Sequence, residues 1–332
     1  MAKKVTLAVI AEQLGVSKIT VSRALKEQGG VSDAIREEIC NLASRLGYKY
    51  SRLRNVEMKR RFIFITPKRF FLANESFYHI IYYELNIICL ASGGELFVHI
   101  LDQDAEITGS LPKDIAQVSG IFVGGEINGK SLNAISSLGI PWVVIDYNMT
   151  SHMTNCVIID NFLAGILATE YLINRGYRKI GFVGSYSQSS NVADRICGFL
   201  KVIRQKNLYF QDDWIIDNYN KTTAHYILDI QLPDKLPEAL VCNCDLAAYY
   251  IIEKLKSIGL QVPADMGIIS IDNTELASSC VPPLTSIDID KRLFAKEAFR
   301  LMHERLDGRT ETGHCYIDTK IVERESAPIR QI

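Results

Sequence analysis

The chain has 332 residues, a length typical of two or three domains rather than one compact core. Hydrophobic residues make up 48% and charged residues 23%, the balance of an ordinary globular protein. No apolar run approaches the ~18 residues that a membrane span needs, and the N-terminal stretch lacks the cleavage site of a signal peptide. The sequence therefore predicts a cytoplasmic protein with no membrane partner.

The formal net charge of −1 hides an uneven distribution. Residues 1–61 contain 13 basic and 6 acidic residues, a formal charge of +7, whereas the rest has 24 basic and 32 acidic residues, or −8. A small basic segment on a larger acidic body is typical of a protein whose terminal segment binds a polyanion. A solvated basic terminus without a partner is the alternative that charge alone leaves open.

The eight cysteines and six histidines are scattered, with no CxxC pair and no HExxH motif. This spacing predicts reduced, mostly buried thiols and no zinc site, other metal site or cofactor. The sequence also lacks a GxSxG elbow and a phosphate-binding glycine loop. We therefore expect a protein that is not an enzyme.

The first fifty residues have the periodicity of three short helices. Apolar residues recur at i, i+3, i+4 and i+7 within 7–14, and Thr6 precedes them at a capping position. Gly15 ends this segment, and Ser17 can cap the next, at 18–25. Two short helices joined by a tight turn and supported by a third form the helix-turn-helix pattern, whose second helix enters the major groove of DNA.

The second predicted helix carries side chains suited to reading bases. Arg23 can donate two parallel hydrogen bonds to guanine, Ile19 can contact a thymine methyl group, and Lys18 can reach a guanine or a phosphate. Hydroxyl groups that suit phosphate oxygens are those of Thr6, Ser17, Thr20 and Ser22. A protein-binding three-helix bundle with an incidental basic surface is the alternative.

The stretches VTLA (5–8), LGVS (14–17) and TVSRAL (20–25), followed by LGY (46–48), resemble the DNA-binding head of the LacI/GalR family of transcriptional regulators. This resemblance implies that Lys18, Ile19 and Arg23 are the base-reading residues.

The segment after the head departs from the family pattern, because it has neither the expected proline nor an Ala-Arg pair. Arg52 would still attract phosphates, and Val56 is the candidate for an apolar wedge in the minor groove. A flexible basic linker is the alternative.

From Phe62 onwards, short and nearly continuous apolar runs alternate with amphipathic segments. The predicted strands are 62–66, 95–101, 119–125 and 141–147, then 156–160, 179–184, 238–243 and 266–272. The predicted helices are 77–92, 129–138, 161–175, 191–206, 222–231 and 245–258. Strands buried on both faces and alternating with helices indicate doubly wound α/β layers, here two parallel sheets in two similar lobes.

We therefore expect three parts: a small all-α helix-turn-helix domain at 1–50, a basic hinge at 51–61, and an effector-binding and dimerisation domain at 62–332. Segments near 284–290 and 315–323 would cross between the lobes. The expected first lobe is about 62–158 plus 289–317, and the second about 159–288 plus 318–332.

Ligands of open parallel sheets bind beyond the carboxyl ends of the strands. The residues at those positions are Phe71, 76–78, 125–126, 146–148, 185–189, 243–245 and 272–274. From these we single out Phe71, Ser76, Tyr78, Asp146, Asn148, Asp245 and Asp272 as effector-binding candidates. For any one carboxylate, capping of the following helix is an equally good explanation.

The stretch ISIDNTELASSCVPPLTSI (269–287) resembles the sensor domain of the same family, which is similar to periplasmic sugar-binding proteins. The resemblance implies that Arg195 and Asp272 hold effector hydroxyl groups and that Asp245 is the aspartate of an Asn-Asp pair. Cys244 replaces the asparagine of that pair.

These features together predict a sequence-specific transcriptional repressor. It would bind a pseudo-palindromic operator as a homodimer and respond to a sugar or sugar derivative between its lobes. A sugar-binding sensor module with weak or corepressor-dependent DNA binding is the alternative.

Overall fold

The computed structural model describes residues 6–25, 29–46, 60–71, 77–149, 154–220, 225–227 and 229–330. The chain divides into two compact units, Met1–Arg60 and Arg61–Ile332. Three of the candidate site residues predicted above, Ser76, Arg52 and Val56, lie outside the described residues.

The first unit consists of three short helices around a core of its own. They are α1 (Leu7–Leu14), α2 (Lys18–Leu25) and α3 (Asp33–Arg45). The buried core residues are Ile10, Ala11, Val21, Ala24, Leu25, Ile39 and Ala43. The apolar periodicity of the sequence therefore places one face of each helix in a shared core.

The turn between α1 and α2 is fixed by local hydrogen bonds. Gly15 has a φ of 64°, a left-handed conformation that glycine adopts without steric cost, and α1 ends there. The Ser17 hydroxyl accepts a hydrogen bond from the Thr20 N–H at 3.0 Å, which caps α2 as expected. Thr6 precedes α1, but its side chain makes no capping hydrogen bond.

The second unit contains two six-stranded sheets. The strands of the first are β1 (Arg61–Pro67), β2 (Glu95–Leu101), β3 (Gly120–Gly124), β4 (Trp142–Ile145), β5 (Asn155–Ile158) and β13 (His314–Tyr316). Their order is β13-β5-β4-β3-β1-β2, and every neighbouring pair is parallel. The run predicted at 156–160 as the start of the second series thus joins the first sheet.

The second sheet is parallel except at one edge. Its strands are β6 (Ile180–Val183), β7 (Ile215–Ile216), β10 (Ala239–Cys242), β11 (Gly267–Asp272), β12 (Thr285–Ile289) and β14 (Thr319–Val322). Their order is β14-β12-β11-β10-β6-β7, and β14 runs antiparallel to β12. β3 to β6 and β10 are buried along their whole length, because helices cover both faces of the sheets.

Helices connect the strands and pack on the sheets. They are α4 (Lys68–Phe71), α5 (Phe77–Ala91), α6 (Gln103–Thr108), α7 (Gly129–Ser137), α8 (Asn161–Asn174), α9 (Ser190–Gln205), α10 (Asp245–Ser257), α11 (Glu275–Ser279) and α12 (Lys291–Leu306). Short 3₁₀ turns occur at Ile115–Gln117 and Asp212–Trp214.

The chain crosses between the two sheets three times. It passes from β5 through α8 to β6, from β12 through α12 to β13, and from β13 to β14 across residues 317–318. Each sheet with its helices is called a lobe below. The second and third crossings lie near the segments 284–290 and 315–323 expected to connect the lobes, whereas the first runs through α8.

The helix predicted at 222–231 is wrong where the structure describes it. Residues 225–226 form β9 (His225–Tyr226), which pairs antiparallel with β8 (Tyr219–Asn220). The Ile227 N–H donates to the Asn218 carbonyl at 2.8 Å, which extends the hairpin. Threonine, histidine and tyrosine are weak helix formers, so a local strand pairing overrides the short apolar period.

Candidate functional site

The exposed face of α2 carries the predicted base-reading residues. Lys18, Ile19 and Arg23 are exposed, and 66% of the Ile19 surface is open to solvent although it is a large apolar residue. Val21 and Ala24 on the opposite face are buried in the head core. A helix with one face buried and a mixed basic and apolar face exposed has the geometry of a recognition helix.

Three of the predicted phosphate contacts, Ser17, Thr20 and Ser22, lie at or near the start of this helix, whereas Thr6 precedes α1. Thr6 and Ser17 are exposed, and Thr20 and Ser22 are partly exposed. The hydroxyls of Ser17 and Thr20 are 2.8 Å apart, so the cap holds both side chains in place.

A cleft lies in the second unit between the two lobes, beyond the carboxyl ends of both sets of strands. Its lining residues are Phe70, Phe77, Tyr78, Glu126, Asp146, Gln188, Ser189, Asn191, Val192, Arg195, Asn243, Cys244 and Asp272. The space enclosed between these side chains is about 60 Å³, and it opens to solvent.

The first lobe gives the cleft an aromatic wall. The rings of Phe70 and Tyr78 lie 5.4 Å apart at 33°, and Phe77 meets Tyr78 edge-on at 5.1 Å. Gly125, with a φ of 80°, lies directly behind this wall, because a Cβ atom there would approach a Phe70 ring carbon to 2.6 Å. Flat apolar rings suit the face of a sugar or the plane of a base.

Asp146 stands at the end of β4 with a φ of 60°, a strained conformation for a residue other than glycine. Its carboxylate accepts a hydrogen bond from the Tyr78 hydroxyl at 2.7 Å and one from Asn191 Nδ2 at 3.1 Å. Burial raises the pKa of Asp146 to about 6, against the opposing effects of Arg195 and of these two hydrogen bonds.

The second lobe places Arg195 at the base of the cleft. Its Nε donates to Asn161 Oδ1 at 2.8 Å, its Nη1 donates to the Asn243 carbonyl, and its Nη2 lies 3.7 Å from Asp272 Oδ1. Arg195 is almost fully buried, so these partners are needed to hold its charge. Gly165 lets α8 approach here, because a Cβ atom would overlap the Arg195 carbonyl oxygen.

Lys291, the first residue of α12, lies behind Asp272. It is buried, and its Nζ donates to the carbonyls of Asp272 and, at 3.1 Å, of Asn273. Burial lowers the pKa of Lys291, although neighbouring aspartates act in the opposite direction. Asp272 and Asn273 also have positive φ values, 106° and 46°, so strained backbone follows β11 as it follows β4.

Hydrogen bonds between the first turn of α9 and the first lobe hold the two walls together. The Ser190 N–H and hydroxyl donate to Glu126 Oε2 at 2.7 and 3.0 Å. Asn191 Nδ2 donates to the Asp146 carbonyl at 2.9 Å in addition to its carboxylate. Relative movement of the lobes must therefore break or remake these contacts.

Four of the predicted effector residues come together in the cleft: Tyr78, Asp146, Arg195 and Asp272. Phe71 instead lies in the core of the first lobe, and its neighbour Phe70 takes the position in the wall. Asn148 does not line the cleft either.

Asp245 also lies outside the cleft lining. Its carboxylate is buried and accepts hydrogen bonds from the Ser270, Ser286 and Thr274 hydroxyls and from the Thr274 N–H at 2.6 Å. The cap of α10 is the neighbouring Cys244, whose sulfur accepts from the Ala247 N–H at 3.4 Å. Asp245 was predicted to bind the effector. In the structure, its carboxylate instead forms hydrogen bonds that hold β11, β12 and the following turn together.

Sequence reasoning missed Phe70, Asn191 and Val192. Asn191 lies one residue past the start of α9 and reaches the opposite lobe, and no sequence pattern reveals a partner across the cleft. Phe70 lies shortly after the end of β1, a position typical of ligand-binding residues, so its place in the sequence was a signal for this role.

None of the helices in the described part of the chain has the length and apolar character needed to span a bilayer. The described residues likewise contain no group of three or more His, Cys, Asp or Glu side chains placed to hold a metal ion.

Two family models match the chain. Residues 6–51 match the model for bacterial regulatory proteins of the lacI family, and residues 169–327 match a periplasmic binding protein-like domain. The first match covers the three-helix head, and the second covers most of the second lobe and the returning segments.

Two similar relatives are both named HTH-type transcriptional repressor PurR. The protein from Glaesserella parasuis serovar 5 is 26% identical over 328 residues, which cover 96% of this chain and 95% of the relative. The protein from Aliivibrio salmonicida is 27% identical and covers 97% and 98% of the two chains. Both names are those of transcriptional repressors, not of enzymes.

Solved structures share the fold. A CelR–cellobiose complex superposes with a TM-score of 0.68 at 22% identity, covering 97% of this chain and 99% of its own. The lac repressor dimer bound to operator and the anti-inducer ONPF gives 0.70 at 19% identity, covering 98% and 100%. The chain therefore joins a helix-turn-helix domain of the lacI family of bacterial regulatory proteins to a two-lobed periplasmic-binding-protein-like body.

Proposed function

We propose that the chain is a cytoplasmic, sequence-specific transcriptional repressor whose affinity for its operator is controlled by a small effector in the cleft. The observation that carries this proposal is the exposed face of α2, where Lys18, Ile19 and Arg23 stand clear of the head core. A cation, an apolar group and a guanidinium on one short helix match the donors and contacts that base edges require. The names of the relatives support the repressing role.

In this proposal, residues 1–50 bind DNA and 62–332 bind the effector and dimerise. Residues 51–61 form the hinge, in which Arg52 contacts phosphate and Val56 enters the minor groove. Tyr78, Asp146, Arg195 and Asp272 hold the effector.

The repressor acts as a homodimer on a pseudo-palindromic operator, because one head reads only a half-site. An exposed apolar stripe supports a second copy as the partner: Tyr83, Ile87 and Leu90 follow one another on α5 with 62%, 44% and 57% of their surfaces open. Phe97 and Val98 are also exposed on β2, the edge strand next to this helix. Exposed apolar side chains that recur along one helix in this way are typical of interaction surfaces.

The effector is a sugar or sugar derivative. The cleft combines amide, carboxylate and guanidinium groups with aromatic rings, a set that suits hydroxyl groups on one side and the apolar face of a pyranose on the other. Effector binding alters the contacts between α9 and the first lobe, and a few kcal/mol of differential affinity are enough to change operator occupancy.

A purine is the second candidate for the effector. The relatives are named PurR, and the adjacent rings of Phe70 and Tyr78 offer aromatic faces to a base. Melting temperatures of the full-length protein measured with sugars and with purine bases separate the two candidates, because only a bound ligand raises the melting temperature.

The test of the main proposal is selection of binding sites from a random double-stranded DNA library with the full-length protein. We expect enrichment of a palindrome. Arg23→Ala then weakens binding to that palindrome by about 1–3 kcal/mol without loss of folding. Arg45→Ala, an exposed arginine at the end of α3, is the matched control and leaves sequence preference intact. If binding depends on the salt concentration but not on the DNA sequence, the alternative function is favoured, a sensor module with corepressor-dependent DNA binding.

A further inference from the structure

The two elements of the cleft that attract anions, Arg195 and the N-terminus of α9, already interact with oxygen atoms of the protein. Arg195 faces Asp272 at 3.7 Å and donates to neighbouring oxygens. The N-terminus of α9 carries a partial positive charge, and Glu126 from the opposite lobe binds it through the Ser190 N–H at 2.7 Å. A phosphate or carboxylate on the effector would therefore have to displace a carboxylate of the protein.

Asp146 is the opposite case, a buried carboxylate in the cleft wall with no ion pair among the residues that the structure describes. Tyr78 and Asn191 donate hydrogen bonds to it, but both are neutral. Arg195 acts on it electrostatically from beyond ion-pair distance. A buried carboxylate without a counter-charge is costly, and burial accordingly raises its pKa to about 6.

The surroundings of Asp146 suit a cation. The Tyr78 hydroxyl donates to Asp146, the Tyr78 ring lies 5.4 Å from that of Phe70, and aromatic faces attract cations. The protein's own cations beside the wall are matched elsewhere. Arg69 lies over the Phe70 ring and pairs with Glu106, and the Lys291 ammonium donates to backbone carbonyls. Neither cation is paired with Asp146.

A second acceptor in the cleft also awaits a donor. Asn243 lines the cleft and is fully buried, and its Nδ2 donates to Gln188 Oε1 at 2.6 Å. Its Oδ1 has no hydrogen-bond partner among the described residues. Buried acceptors are normally satisfied, so this oxygen points to a ligand that brings N–H or O–H donors.

We propose that the effector carries a protonated amine that pairs with Asp146 beside the rings of Phe70 and Tyr78, as an amino sugar would. This inference rests on the proposed function and names the chemical class of ligand for the same cleft. A neutral sugar leaves Asp146 without a counter-charge, and a phosphate ester adds a like charge to a cleft lined by three carboxylates and one arginine.

The experiment is isothermal titration calorimetry of the full-length protein with matched probes: glucosamine, glucose and glucose phosphate, the same set built on galactose, and adenine and guanine. We expect the tightest binder to be an amine, about 10- to 100-fold tighter than its neutral counterpart. Asp146→Asn keeps the shape and abolishes this preference, whereas Asp318→Asn, an exposed aspartate, retains it. Lowering the pH from 7 to 5 weakens amine binding, because protonation removes the charge of Asp146.

Three results would overturn the inference. They are a neutral, phosphorylated or purine probe that binds at least as tightly as every amine, no binding by any amine, and an amine preference that survives in Asp146→Asn. Each is independent of the DNA selection described above. Failure to recover a palindrome would contradict the proposed function, whereas a palindrome without amine preference would contradict only the charge assigned to the effector.

Discussion

Asp146 ties the stability of the effector-free protein to pH. Its pKa is about 6 in the folded protein and 3.8 in the ordinary carboxyl, so the folded state binds more protons between these values. The stabilisation from this group is complete below about pH 4 and is lost as pH rises through 6. Asp146→Asn removes the ionised group, and we expect it to stabilise the protein at pH 7.5 by up to about 3 kcal/mol.

Thermal unfolding of the wild type and Asp146→Asn at pH 7.5 and 4.5 checks this prediction. The difference in melting temperature should be largest at pH 7.5 and should shrink at pH 4.5, where both side chains are neutral. A variant that is less stable than the wild type at pH 7.5 would show that the hydrogen bonds to the carboxylate outweigh its desolvation.

Asp245 has a structural role that can be measured. Asp245→Ala leaves the hydroxyls of Ser270, Ser286 and Thr274 without their acceptor inside the second lobe. We expect a loss of at least about 3 kcal/mol in the free energy of unfolding, read from urea denaturation. Asp318→Ala on the surface is the control, and equal midpoints for the two variants would refute the role.

Two arguments from the sequence predicted residues that line the cleft: position just after a strand, and the family resemblance. The residues are Tyr78, Asp146, Arg195 and Asp272. These arguments could not distinguish Phe71 from Phe70, because the short helix α4 decides which ring turns inward. They could not separate Asp245 from its neighbours either, since capping and ligand binding call for the same residue types at the same positions.

Among the elements, α8 and α9 approach closely through two glycines. A Cβ atom on Gly198 would overlap the Phe162 carbonyl oxygen, and one on Gly165 would overlap that of Arg195. Gly198→Ala should therefore destabilise the protein by about 1–3 kcal/mol despite the better helix propensity of alanine. Gly129→Ala at the start of α7, where the added methyl meets no neighbour within 4 Å, is the control for a urea titration. Equal stability of both variants would mean that the helices separate at little cost.

Most strands were predictable because they are buried on both faces, which requires nearly continuous apolar runs. Their observed bounds differ from the predicted ones by only a few residues, as in β3 and β10. The helix predicted at 222–231 failed because a short segment without a wide apolar face carries little information, and pairing with β8 decided its structure. The antiparallel direction of β14 depends on the last crossing, which no local pattern encodes.

For the whole molecule, the proposed homodimer places the apolar stripe of α5 in its interface. Replacing Ile87 and Leu90 together by aspartate puts charges on that surface without touching the core. We expect the double variant to be a monomer in analytical ultracentrifugation and to lose operator affinity while it keeps effector binding. Ile329→Asp, which is 68% exposed near the C-terminus, is the control. A double variant that remains dimeric would place the interface elsewhere.

The core of the head is built only from residues of α1, α2, α3 and the turns between them, within the described part of the chain. Its folding information is therefore contained in one short stretch of sequence, and the choice of operator is encoded separately from the choice of effector. Evolution can recombine the two choices by exchanging gene segments, and so can an engineer. A chimera that joins this head to the body of another regulator should bind the operator of this protein and respond to the effector of the other regulator.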